Sequence, residues 1–101
     1  MIKIYKTRNE KLVEVRSIET DCWVNIFNLS GVELVDFSKR LNIPLDFLTT
    51  PLDVEERARI RNAENCTMII LRTPQVGNSD NIPFYTIPLG IIITKDLIIT
   101  V

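Results

Sequence analysis

A chain of 101 residues, 46 % apolar and 25 % charged, has the composition of one folded domain with a modest core rather than of a disordered segment. Twelve basic and thirteen acidic residues leave a net charge of −1, which argues against a nucleic-acid module, whose affinity rests on a basic excess. Histidine is absent, so His-based triads and His-containing zinc sites are excluded together.

In chain order, residues 2–6 and 12–16 flank the polar stretch Thr7–Lys11 and read as a β-hairpin, with Ile2 and Ile4 on one face. No apolar run approaches the roughly 18–20 residues needed to cross a bilayer. The N-terminus alternates polar and apolar residues and lacks the apolar core of a signal peptide. Residues 22–27 (CWVNIF) are aromatic and β-branched, which suits a strand with a buried face, and Trp23 is expected in the core.

A helix follows with a full set of start signals. Ser30 is placed to cap it, Glu33 stands three residues on, and Leu29 and Leu34 occupy the positions of a hydrophobic staple. Leu34, Phe37 and Leu41 share its apolar side, and Asn42 with Ile43-Pro44 stops it. Pro44 suits the first turn of a second, short helix, in which Leu45 and Leu48 share a side and Pro51 ends the element.

Leu52–Glu56 is an acidic connector. Residues 57–61 (RARIR) alternate strictly, predicting a half-buried strand with three arginines outward and Ala58 and Ile60 inward. Residues 66–71 read as a central strand, and Gln75–Asn81 as a surface loop rich in turn formers. The last section holds three short strands. Pro88 separates the first from residues 89–94, and Lys95-Asp96 turns the chain into residues 97–101. The sum is an α+β domain: a mixed sheet of about seven strands with two helices. Two helices are too few to cover both faces of such a sheet.

Candidate chemistry is sparse. Cys22 and Cys66 lie in apolar runs without metal-ligand spacing and read as reduced, buried thiols. Glycine occurs only at 31, 77 and 90, too few for a phosphate-binding loop. Serines, threonines and cysteines have no histidine base, so no nucleophilic centre is expected and the chain reads as non-enzymatic. Asp53, Glu55 and Glu56 form the one cluster suited to a hard divalent cation, which needs only one or two carboxylates plus water. The competing reading is that these charges solvate a loop or pair with Arg57 and Arg59. Arg57, Arg59 and Arg61 are a weak phosphate-binding candidate, and a solvated or covered sheet face explains them better.

The ordered set of segments resembles a known family. Residues 23–26 (WVNI), the capped helix, 44–48 (PLDFL), Leu52-Asp53 with 56–60 (ERARI), 68–72 (MIILR), 88–93 (PLGIII) and 97–101 (LIITV) follow the order of the N-terminal cytoplasmic domain of CorA-type magnesium and cobalt transporters. The resemblance covers nearly all of the chain from Trp23 onward, and the opening hairpin more loosely. It implies an α/β/α sandwich, here truncated, followed in the whole protein by a stalk helix and two membrane spans with a Gly-Met-Asn signature between them.

It further implies a non-catalytic regulatory and assembly domain at the cytoplasmic face of the membrane. Identical subunits in a homopentamer would be its partners, and regulatory Mg²⁺ or Co²⁺ its ligand. On this reading residues 1–101 are one domain, a fragment of a longer membrane protein, with no transport activity of its own. The alternative is a free-standing binding module of the same fold with a small-molecule or protein partner. Where many family members carry a Glu-Asp pair in the short second helix, this chain has Leu48-Thr49-Thr50, so that metal site is not transferable by position.

Overall fold

In the computed structural model, residues 1–79 and 82–101 are described. Among them the chain forms β1 (Ile2–Arg8), β2 (Lys11–Val15), β3 (Cys22–Ile26), α1 (Gly31–Leu41), α2 (Leu45–Thr49), a 3₁₀ turn (Thr50–Leu52), β4 (Arg59–Asn62), β5 (Cys66–Ser79), β6 (Ile82–Thr94) and β7 (Leu97–Thr100). The strands make one seven-stranded sheet in the order β2-β1-β3-β7-β6-β5-β4. β3 and β7 pair in parallel at its centre, and every other pairing is antiparallel. This is the expected mixed sheet with two helices.

Both helices lie in the connection from β3 to β4, and they cover one face of the sheet. That face supplies the core: Val24 and Ile26 of β3, Met68 and Ile70 of β5, Ile92 of β6 and Ile99 of β7 are buried with Leu34 and Phe37 of α1. α1 starts as its sequence dictates. The Ser30 hydroxyl accepts from the Glu33 amide at 3.2 Å and in turn donates to the Glu33 carboxylate at 3.1 Å. Leu34 is buried and Leu29 packs against the core, as a staple requires. Asn42 ends the helix in the left-handed region at φ 54°, and its amide bonds the Ser38 carbonyl.

Pro44 is the N-cap of α2 rather than its first helical residue, and Phe47, not Leu45, joins Leu48 in the core. Pro51 does not end the element. It sits buried within the 3₁₀ turn, where a Cβ added at Gly90 would come within 2.3 Å of its ring. Gly90 is therefore a point of close approach between the 3₁₀ turn and β6.

Trp23 is not a core residue: its neighbours Cys22 and Val24 face the helices, so it must face away, and it remains 37 % exposed. β4 begins only at Arg59, and its arginines, not Ile60, face the helical layer. Arg59 and Arg61 lie opposite Ile70 and Met68, whereas Ile60 is 67 % exposed on the other face. Strict alternation fixes two faces but not which is covered, and on this edge strand Asp46 of α2 and Glu56 of the connector supply charged partners for the guanidinium side.

β5 continues through Ser79, so Gln75–Ser79 is strand, with Val76 paired to Phe84. Asp80 and Asn81 fall outside the described residues. Pro88 does not interrupt β6, because β7 pairs with it no further toward the hairpin than Ile91 and the backbone bonds of Gly90 with Val101. An edge position tolerates the missing N–H.

Candidate functional site

Within the acidic connector, residues 52–56, the chain makes a closed turn. The Asp53 carboxylate accepts from the Glu55 amide at 3.0 Å, and the Asp53 carbonyl accepts from the Glu56 amide at 3.0 Å. Glu56 is half-buried and pairs with Arg59 at 2.6 Å. The three carboxylates thus differ in role: Asp53 shapes the turn, Glu56 neutralises an arginine, and Glu55 extends from the turn into solvent. Among the described residues no group of three or more His, Cys, Asp or Glu side chains stands close enough to hold a metal together.

Arg61 closes the other side of the same layer. Its guanidinium pairs with Asp46 of α2 at 2.8 Å and lies over the Phe47 ring, 5.3 Å from its centre. An ion pair and a cation–π contact at one side chain tie β4 to α2. The arginine alternation in the sequence therefore serves sheet-to-helix joining, with Asp46 and Glu56 as counter-charges. Arg57 lies outside the strand.

Arg72 stands in the sequence only as the end of residues 68–72, yet it has the densest polar contacts of any side chain described. Nη1 donates to the carbonyls of Val54 at 2.7 Å and Glu56 at 2.8 Å, and Nη2 donates to the Thr86 carbonyl at 2.8 Å. Nε and Nη2 also reach the Thr86 hydroxyl, at 3.1 and 3.0 Å. The signal was a single basic residue ending the apolar run of residues 68–71, a place where an unpaired charge would be costly.

The second feature is the uncovered sheet face. Trp23, Ile60, Leu71, Ile93 and Ile98 are exposed on it. Its polar groups are internally paired: the Trp23 Nε1–H donates to the Thr100 hydroxyl at 2.9 Å, which donates to Asn25 Oδ1 at 2.7 Å. Tyr5 lies beside the indole with ring centres 4.9 Å apart. At the end of this face toward the Lys95-Asp96 turn, a groove of about 400 Å³ runs over Tyr5, Trp23, Ile93 and Ile98. Such a surface offers apolar contact without demanding charge.

Cys22 and Cys66 are buried and unpaired, as expected. Burial pushes the Cys66 thiol up from its ordinary range, since a thiolate is poorly solvated there. It therefore stays a neutral, unreactive thiol near pH 7.

These features define an architecture: a mixed α+β sheet with two helices on one face and an apolar opposite face. No protein-family model matches the sequence, and the comparison with curated proteins finds no match. Among solved structures, the chain is similar to the complete CorA magnesium transporter of Methanocaldococcus jannaschii, with TM-score 0.79, 23 % identity, 99 % of this chain and 31 % of that one.

The soluble domain of the same CorA matches with TM-score 0.79 and 24 % identity, over 99 % of this chain and 39 % of that one. The cytoplasmic domain of ZntB from Vibrio parahaemolyticus RIMD 2210633 matches with TM-score 0.70 and 14 % identity, over 97 % of this chain and 41 % of that one. The chain thus has the CorA soluble-domain fold and spans less than half the length of each of these proteins. Among the described residues no helix is long and apolar enough to cross a membrane, which says nothing of β-barrel spans.

Proposed function

We propose that the chain is the cytoplasmic regulatory and assembly domain of a CorA-like divalent metal-ion transporter, acting on magnesium or cobalt. It has no catalytic role and transports nothing by itself. The observation that carries this reading is the likeness in fold, over 99 % of the chain, to a domain that forms part of a magnesium transporter. The uncovered apolar face supports it, because a domain of a larger protein can leave such a face for neighbouring segments. Its partners would be a stalk helix, membrane spans and identical subunits, a homopentamer by resemblance, placing it at the cytoplasmic face of the membrane.

Within the connector, Asp53 and Glu55 are the carboxylates open to a cation, because neither is held by an arginine at ion-pair distance among the described residues. Glu56 would join them only by leaving Arg59. Mg²⁺ keeps several waters and needs only one or two such ligands.

Two measurements test the reading. The natural gene read past codon 101 is expected to encode two apolar spans of about 20 residues with Gly-Met-Asn between them. A stop codon soon after Val101 would instead leave a free-standing binding module. In a Mg²⁺ titration followed by NMR, the amides of Asp53, Glu55 and Glu56 are expected to shift. Asp53→Asn with Glu55→Gln should abolish the shifts, and an unchanged titration in that variant would remove these residues from the site.

A further inference from the structure

β5 and β6 outrun the rest of the sheet. β4 pairs with β5 only as far as Ile70, and on the other side β6 has lost β7 beyond Gly90. Among the described residues, the two strands from Arg72 and Pro88 outward form a ribbon without neighbouring strands, carrying the exposed side chains of Val76, Phe84 and Tyr85. A two-stranded ribbon is marginal alone in water, so its orientation depends on what holds its base. The prolines at 74 and 88 deprive its outer edges of donors, which disfavours strand addition there.

The connector has a matching weakness. Its own bonds are local, from the Asp53 amide to Thr50 and from the Glu55 and Glu56 amides to Asp53, and none of these reaches β5 or β6. Arg72 supplies the tie. A guanidinium presents five donors in one rigid plane, and here that plane engages the Val54 and Glu56 carbonyls on one side and Thr86 on the other. A lysine could not bridge both sides with the same geometry.

We propose that Arg72 is a latch that makes the acidic connector and the projecting ribbon one conformational unit, so that displacement of either is transmitted to the other. The carboxylates of Asp53 and Glu55 and the exposed apolar pair Val76 and Phe84 are then two ends of one device. This goes beyond the transporter reading and does not rest on it.

The test is hydrogen–deuterium exchange on the full 101-residue chain, without added metal. Arg72→Met keeps an unbranched stem without the guanidinium and is expected to speed exchange about tenfold, the effect of losing charge-assisted hydrogen bonds, at the bonded amides of Asp53, Glu55 and Glu56 and within 84–87 together. The amides of β3 and β7 are expected to remain at their wild-type rates. Thr86→Val removes only the hydroxyl acceptor and touches no connector residue. It is nevertheless expected to speed exchange at Glu55 and Glu56 about threefold, since it weakens one side of the shared fork. Loosening of one segment alone in Arg72→Met, or wild-type exchange at the connector in Thr86→Val, overturns the latch. Should Arg72→Met loosen the whole molecule, the Thr86→Val result decides.

Discussion

The two faces of the sheet are built from the same residue types and differ in what lies over them. Ile92 and Ile93 are adjacent in β6; the first is fully buried beneath the helices and the second is 42 % exposed. Ile99 and Ile98 repeat the contrast in β7, and Val24 and Trp23 in β3. A sheet with one solvated face normally alternates apolar with polar residues, whereas near-continuous apolar strands belong to sheets covered on both sides. The open face therefore carries the pattern of a covered one. Its polar atoms point the same way, because Trp23, Thr100 and Asn25 bond one another instead of depending on water.

Substitution at neighbouring positions tests that contrast directly. Ile92→Ala leaves a cavity in the helix-covered core and is expected to cost about 2–5 kcal/mol, with a large fall in the urea midpoint. Ile93→Ala removes a half-exposed side chain and should cost less than about 1 kcal/mol. Equal losses at the two positions would mean that both faces are packed in solution.

Gly90→Ala probes the close approach of the helical layer. The new methyl group would meet the Pro51 ring, which cannot swing aside as a flexible chain end does. Thermal unfolding should show a loss of about 1–3 kcal/mol, typical of overpacking. Wild-type stability would mean that the 3₁₀ turn yields without cost.

The cap of α1 makes a smaller contribution. Ser30→Ala removes the hydroxyl that meets the Glu33 amide and is expected to cost about 1 kcal/mol. Ser30→Gly should cost only a few tenths, so the difference between the two in chemical denaturation reads the cap itself.

How far the sequence reveals this structure depends on whether local chemistry decides the element. α1 is legible end to end because Ser30, Glu33, Leu29, Leu34 and Asn42 each act within one turn of their own position. The strand at Cys22–Ile26 and the opening hairpin are legible for the same reason. What alternation cannot supply is the side on which the helices lie. Trp23 and Ile60 are apolar residues on the face the helices leave open, and Arg61 lies on the covered face only because Asp46 and Phe47 meet it there. Pro88 and Gln75–Ser79 carry turn-former chemistry, yet cross-strand pairing in a long hairpin overrides it.

The candidate site follows the same rule. The acidic cluster is visible as composition, but its division into a turn-shaping Asp53, a paired Glu56 and an outward Glu55 depends on Arg59 and on the closed turn. Arg72 is one letter in the sequence, and its partners lie 14 to 18 residues away.

The smallest effect on stability belongs to the open face, and it is the most informative for function. Ile98→Lys places a charge at an exposed position of β7 and should change monomer stability by no more than about 0.5 kcal/mol. Association is a different matter, since a large contiguous apolar patch draws a second surface onto itself and a single charge within it must be desolvated on contact. The isolated 101-residue chain is expected to self-associate with rising concentration in light scattering, and Ile98→Lys is expected to return it to a monomer. A wild-type chain that stays monomeric at high concentration would show that the paired Trp23–Thr100–Asn25 network and the Tyr5 ring make this face tolerable in water.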